Sequence, residues 1–353
     1  MKMQTLTSLE RLMKAIRRQE PDVVPTFEID IDERVIEALK PGASYEDFVE
    51  YMDLDAACYH ETRTDSYEVL DEAKRIVRDQ WGAIKRYSGV SSGIPMLLEP
   101  AIKSKDDLKK YKLPDPGRPE RFKRIREAIK RFKGKRAIIA TVRPFATMRD
   151  SLRGQDDLFK DMIRDPEFVD SLDQLLRDYY GRLVKNLIDA GVDIILETAD
   201  IAFTNGPMVA LKHQSRFIFP ALKEIVDYCH SRGMPCLKHT DGNIWALMDL
   251  IVEAGFDGIH PIDPVAGMDI GEAKEKYGDK LCIMGNVDCG NLLSWGSKEE
   301  VRGVVKDCIR RAGKGGGYIC MSGNSIHGAV SPANYAEMIR SIKEYGKYPL
   351  SLV

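Results

Sequence analysis

The chain has 353 residues, 43% apolar and 31% charged, with a formal net charge of −2. Its charges alternate in sign, as between Arg118 and Arg136, where Glu120 and Glu127 interrupt the basic run; no nucleic-acid or anionic-membrane partner is implied. No stretch approaches the roughly 18 uninterrupted apolar residues of a membrane span.

The first segment, MKMQTLTSLERLMKAIRRQ, lacks the apolar core and small-residue cleavage site of a secretory signal, and reads as a helix capped by Thr7 or Ser8. Eight short β-branched or apolar runs follow: Val24–Ile29, Ala56–Tyr59, Ala137–Thr141, Ile194–Glu197, Cys236–His239, Gly258–Pro261, Leu281–Gly285 and Gly317–Met321. Between them lie stretches with apolar residues at 3.6 spacing, such as SLDQLLRDYYGRLVKNLIDAG and NIWALMDLIVEAG. Gly191, Gly255 and Gly313 each follow such a helix, where a C-terminal cap belongs. The segment Ala73–Lys103 breaks the rhythm: RDQWGAIKRYSGVSSGIPMLLEPA predicts short strands around a Gly/Ser turn, a hairpin inserted between the second and third strands.

Runs alternating with helices predict parallel βαβ units and a (β/α)8 TIM barrel. It would be one domain over residues 1–353, with the insertion at about 73–103. A doubly wound open sheet is the alternative, and it would gather ligand groups at a single crevice. The seven cysteines (Cys58, Cys229, Cys236, Cys282, Cys289, Cys308 and Cys320) form no CxxC pair and read as reduced core residues of a cytoplasmic protein.

Barrel catalytic residues come from strand C-termini, which face the loops that build the pocket. The runs end, in order, at Glu28 and Asp30; Tyr59 and His60; Arg143; Glu197 and Asp200; His239 and Asp241; His260 and Asp263; Asn286 and Asp288; and Ser322, Asn324 and His327. Four of the six histidines fall at these positions, which points to an enzyme pocket. Plainer roles compete. Glu28 and Asp30 suit a helix cap, Arg143 an ion pair, His60 a loop carbonyl, and Asp241 a turn in His-Thr-Asp-Gly-Asn. Function is favoured for Glu197, His239 and Asp241.

RLMKAIRRQEPDVVPTF, LKHTDGNIWALMDLIVEAGFDGIHPIDPVAGMD, GDKLCIMGNVD, GGGYICMSGNSIH and YGKYP together resemble the uroporphyrinogen decarboxylase superfamily, which also holds the corrinoid and coenzyme M methyltransferases. The resemblance spans nearly the whole chain and implies the same (β/α)8 fold. The cationic Arg-Gln-Ala-Gly-Arg-Tyr stretch of the true decarboxylases is replaced by FEIDIDERVIEAL, and the Phe-Ser-Asp-Ile-Leu stretch by LDAACYHETRTD. Glu28, Asp30 and Asp32 would repel a polycarboxylate. The thiol-methylating members carry a His-x-Cys…Cys zinc site. His239 matches its histidine, Asp241 stands at the first Cys and Asn324 at the second.

A His/Asp/Glu set still suits zinc and makes it the more Lewis-acidic. The resemblance thus implies a corrinoid-dependent methyltransferase of the demethylating kind. Its methyl donor would be a small molecule, an O-methyl ether such as a methoxylated aromatic, and its acceptor the cobalamin of a separate corrinoid protein. No Asp-x-His-x-x-Gly corrinoid signature occurs in the chain. Glu197, His239 and Asp241 are the expected catalytic groups, with metal on His239 and Asp241 and further ligands in Glu197 or Asp263. Glu28, Tyr59, His60, Arg143, Asp200, His260, Asn286, Asn324 and His327 are expected around the substrate. A homodimer is a further option. The rivals are a decarboxylase or lyase acting on a smaller substrate, and a non-catalytic small-molecule or corrinoid-docking protein.

Overall fold

The computed structural model describes residues 5–60, 67–87 and 95–351. Its strands, in chain order, are β1 (Ala56–His60), β2 (Glu68–Asp71), β3 (Ile76–Arg78), β4 (Ile84–Arg86), β5 (Met96–Glu99), β6 (Ala137–Val142) and β7 (Ile194–Glu197). They continue with β8 (Ala202–Phe203), β9 (Gly206–Pro207), β10 (Cys236–His239), β11 (Gly258–His260), β12 (Cys282–Val287) and β13 (Tyr318–Ser322). Seven of them form one parallel sheet in the order β1-β6-β7-β10-β11-β12-β13, with amphipathic helices between successive strands. Parallel pairing with helical crossovers is what apolar runs separated by 3.6-periodic stretches dictate. No helix of the described residues is long and apolar enough to cross a membrane.

The run expected as the first strand, Val24–Ile29, forms no ladder. Pro25 has no N–H to donate, which breaks regular pairing. The segment is nonetheless extended between the two edge strands. The Thr26 carbonyl accepts from Asp55 N–H beside β1, and the Pro25 carbonyl accepts from Cys320 N–H of β13. A single parallel bridge, Ile31 to Ile326, continues the contact.

Between β1 and β6, strands β2 to β5 form a four-stranded antiparallel meander rather than a single hairpin. It begins at Glu68, before the predicted start, and the expected Gly/Ser turn at 88–94 lies outside the described residues. Lys85 of β4 and Asp79 of the β3–β4 connection, 2.8 Å apart, both bond the Ser151 hydroxyl and so anchor the meander.

Side chains alternate across the sheet, and the apolar residues sort accordingly. Phe27, Ala56, Cys58, Ala137, Ile139, Ile194, Leu196, Leu237, Cys282, Met284, Ile319 and Met321 fill the inner face. Their strand neighbours, such as Ala57, Tyr59, Ile138, Ala140, Ile195, Ile259 and Ile283, pack outward against the helices. Helix α1 (Ser8–Ile16) is capped by Thr7 in a capping box and buries Leu12, Ala15 and Ile16 into the inner cluster. Leu9 N–H donates to the Lys135 carbonyl just ahead of β6, so α1 closes the end where the strands begin. The opposite end, where the strands finish, is left for a pocket.

Candidate functional site

A cavity of about 1130 Å³ opens at the C-terminal ends of the strands. At its floor β10 and β11 pair in register, His239 opposite His260. Each shares the inward parity of the core, since His239 lies two residues after Leu237. The two rings stack with centroids 5.0 Å apart, and their Nδ1 atoms are 2.8 Å from one another. His260 Nε2 lies 2.9 Å from the Ser322 carbonyl. Burial is the main reason both imidazoles hold a proton poorly. His239, near the charges of Lys238, His60 and Arg143, is pulled down to about 3, and His260 falls well below the usual range. Both are neutral at physiological pH.

His239 Nε2 faces two carboxylates, 3.8 Å from Asp200 Oδ1 and 3.9 Å from Asp241 Oδ1. One potential ligand atom from each of Asp200, His239 and Asp241 falls within 4.8 Å of the others. Burial, then repulsion from Asp200 and Asp263, raises the Asp241 carboxyl to about 8. Its Oδ1 is buried without a hydrogen-bond partner, while Oδ2 accepts from the Asn324 amide. An orphaned buried oxygen beside a second carboxylate and an imidazole lone pair is the donor set that zinc accepts.

Gly242 holds this loop in place. Its φ is +94°, and a Cβ there would meet the Phe203 carbonyl oxygen at 2.6 Å. Asn243 N–H donates to that same carbonyl, tying the β8–β9 hairpin to the loop that carries Asp241.

Parity separates the remaining predicted residues. His60 and Arg143 line the cavity, as do Asp200, Asp263, Asn324 and His327. His60 Nε2 lies 3.1 Å from the Ile29 carbonyl, Arg143 pairs with Asp150 at 3.1 Å, and His327 Nδ1 accepts from Ala329 N–H. Asp263 is engaged by the backbone N–H groups of Gly242, Val265 and Ala266, and it stands outside the three-ligand cluster. Asn324, expected on the substrate, instead gives its amide to Asp241.

Four predicted residues are turned away. Glu197 follows the inward Leu196 and so points outward, where Lys238, its register partner on β10, lies 2.5 Å away with both side chains fully buried. Neither a catalytic nor a metal role in the cavity is open to it. Its work is to hold the loop: Glu197 Oε1 accepts from Ala199 N–H, and Lys238 donates to the Ala199 carbonyl, next to Asp200. Tyr59 also points outward and donates to Glu46 at 2.9 Å. Asn286 is the exception to parity: two residues after the inward Met284, it nonetheless donates to the Ile262 carbonyl and accepts from the Cys308 thiol of the covering helix.

Glu28, between the inward Phe27 and Ile29, is 1% exposed and bonded to Ser322 through its N–H at 3.2 Å and its hydroxyl at 2.5 Å. Burial raises this carboxyl to about 8, with the Ser322 bonds opposing. The folded chain therefore binds a proton that the unfolded chain has lost, between about pH 4.3 and the raised value near 8. Stability from this group is complete below that window and falls as pH rises through it. Glu28→Gln should remove that slope. Melting temperatures of both proteins from pH 5 to pH 8 check this, the gap in favour of the variant widening with pH.

Sequence reasoning missed Asp200 as a partner of the His239–Asp241 pair, Lys238 altogether, and Tyr67 and Tyr87. These two tyrosines line the cavity from the meander as an edge-to-face pair with centroids 5.6 Å apart. Among the described residues, seven carboxylates line the cavity (Asp30, Asp32, Glu33, Asp200, Asp241, Asp263 and Asp288) against two guanidinium groups, Arg34 and Arg143. Arg34 is itself paired with Asp32 at 3.0 Å. A polycarboxylate would meet repulsion.

A parallel sheet with helical crossovers and a histidine–carboxylate cluster at its strand ends defines an α/β protein of the strand-end-pocket class. The family model described as uroporphyrinogen decarboxylase (URO-D) matches residues 85–345, and the chain belongs to that family. It is 24% identical over 188 residues to a uroporphyrinogen decarboxylase of Methylococcus capsulatus, covering 52% of this chain and 51% of that one. With the enzyme of the same name from Shewanella denitrificans it shares 30% identity over 142 residues, 38% of each. The chain thus spans about half the length, or less, of these curated relatives. A solved methyltransferase from Methanosarcina mazei superposes with a TM-score of 0.74 at 16% identity, covering 96% of this chain and 99% of that one, which establishes a shared fold.

Proposed function

We propose that this chain is a methyltransferase that takes a methyl group from a small methylated donor, an O-methyl ether such as a methoxylated aromatic, and passes it to the reduced cobalamin of a separate corrinoid protein. In the same reading the extended segment at 24–31 stands where a (β/α)8 barrel has its remaining strand. The observation that carries the proposal is the convergence of Asp200, His239 and Asp241 beneath a wide cavity. The shared fold with a protein named a methyltransferase supports it.

The methyl carbon leaves as the electrophile, both electrons of its C–O bond stay on oxygen, and that oxygen finishes with a proton. His239, Asp200 and Asp241 would hold a zinc ion. Bound there, zinc supplies Lewis acidity toward the oxygen on which charge develops. The chain's own groups do the rest. Asn324 fixes Asp241, the Lys238–Glu197 pair fixes the loop of Asp200, and the Tyr67–Tyr87 pair offers aromatic faces to the donor's ring. The carboxylate-rich wall favours a donor without carboxylates.

The acceptor has to arrive from outside. Phe203 of β8, Val265 in the turn after β11 and Trp295 at the end of the short helix after β12 are 43%, 60% and 80% exposed, and each belongs to a connection that follows a strand of the parallel sheet. Large exposed apolar side chains there suit a protein docking over the mouth.

One observation favours a second reading. With Asp241 raised to about 8 it holds a proton near neutrality and is competent as a general acid without metal, as a lyase or decarboxylase of a smaller substrate would use it. Mixing the protein with a reduced corrinoid protein and a panel of methoxylated aromatics and methylamines decides between them. The proposal expects conversion of the reduced corrinoid to its methylated form, read by absorbance. No conversion across the panel with the cognate partner overturns it.

A further inference from the structure

We propose that His260 is a positioning residue that fixes the tautomer of His239, keeping the hydrogen on His239 Nδ1 and presenting the Nε2 lone pair to Asp200 and Asp241. A carbonyl oxygen only accepts, so the 2.9 Å contact with the Ser322 carbonyl requires the hydrogen on His260 Nε2. His260 is fully buried, and its two ring nitrogens are taken by His239 and by that carbonyl. A protonated His260 would be a buried charge whose two donors meet no carboxylate. The ring is therefore neutral, and its Nδ1 carries a lone pair.

The 2.8 Å contact between the two Nδ1 atoms then has one possible donor, His239. With its hydrogen on Nδ1, His239 has its lone pair on Nε2, the atom that lies 3.8 and 3.9 Å from the two carboxylates. The hydrogen bond on one ring nitrogen sets what the other can ligate. A second anchor lies behind the first. Glu28 accepts from the N–H and hydroxyl of Ser322, which holds in place the residue whose carbonyl orients His260. In this way the buried side of the sheet fixes which nitrogen faces the cavity.

The inference rests on the metal reading only for its purpose, so the experiment has two arms. The first is nitrogen-15 NMR of the whole chain, histidine-labelled and freed of metal by chelator, which reads protonated and unprotonated ring nitrogens directly. The wild type should show His239 protonated at Nδ1 and bare at Nε2. His260→Phe, which removes the acceptor, should shift His239 toward the Nε2–H form. His260→Asn, which returns an acceptor oxygen near the lost Nδ1, should restore the original pattern. The second arm is zinc titration. Affinity should fall on the order of 10–100-fold in His260→Phe and recover in His260→Asn.

A wild-type His239 carrying its hydrogen on Nε2, or a tautomer unchanged in His260→Phe, overturns the proposal. If His260→Phe does not fold, the wild-type spectrum alone decides. If zinc binds none of the proteins while the tautomers shift as stated, the metal reading falls and the role of His260 stands.

Discussion

Replacing Lys238 by Met is expected to destabilise the protein by about 3–5 kcal/mol, the usual consequence of leaving one member of a buried ion pair without its partner. Lys238 and Glu197 are both fully buried 2.5 Å apart. Burial raises the Glu197 carboxyl, and the ammonium is what opposes that rise. Removing it strands the carboxylate and takes donors from the Ala199 and His239 carbonyls. The double variant Lys238→Met with Glu197→Gln should recover much of the loss, because no charge then remains to be desolvated. Recovery will be incomplete, since the two carbonyls still lack their donor. Urea denaturation of the wild type and the two variants checks the sequence of stabilities. A single variant as stable as wild type would mean that the pair does not hold the Asp200 loop.

The other large effect belongs to His239→Ala. If Nε2 is a metal ligand, methyl transfer should fall by about 10³-fold or more, within the range seen when a group acting on the developing charge is removed. The side chain is only partly encircled, since its outer edge faces the cavity, so the fold should survive. Far-ultraviolet circular dichroism and the melting temperature verify that, while the corrinoid absorbance assay reads the rate. Asn324→Ala should cost less, because its amide acts through Asp241 and leaves all three proposed ligands in place. Undiminished turnover in His239→Ala would place the chemistry elsewhere in the cavity.

Much of this molecule is written in its sequence. Seven of the eight predicted runs are strands of one parallel sheet, because an apolar run between 3.6-periodic stretches has few other ways to bury both faces. Val24–Ile29 has the composition of a strand, yet Pro25 denies it a donor. Reading strand ends located the cavity without saying which side chain at each end looks into it. That distinction was present as period-two parity. Leu196 and Leu237 point inward, so Glu197 and Lys238 point outward, and His239 returns inward. The same count turns Glu28 and Tyr59 away. Asp200 was harder to place, because it sits in a loop beyond Glu197, and its position depends on hydrogen bonds to Ala199 and from Asp241 N–H that no spacing rule encodes. Tyr67 and Tyr87 come from a meander whose fold-back onto the cavity rests on the distant contacts of Lys85 and Asp79 with Ser151.

His239, Asp200 and Asp241 are proposed to form one metal site. Calorimetric titration of zinc into chelator-treated protein tests this directly, at a pH near 8 where Asp241 gives up its proton readily. One zinc ion per chain, bound tightly in the wild type and lost in both His239→Ala and Asp200→Asn, is the predicted result. A wild-type protein that takes up no zinc, or one whose binding is untouched by both substitutions, would contradict it.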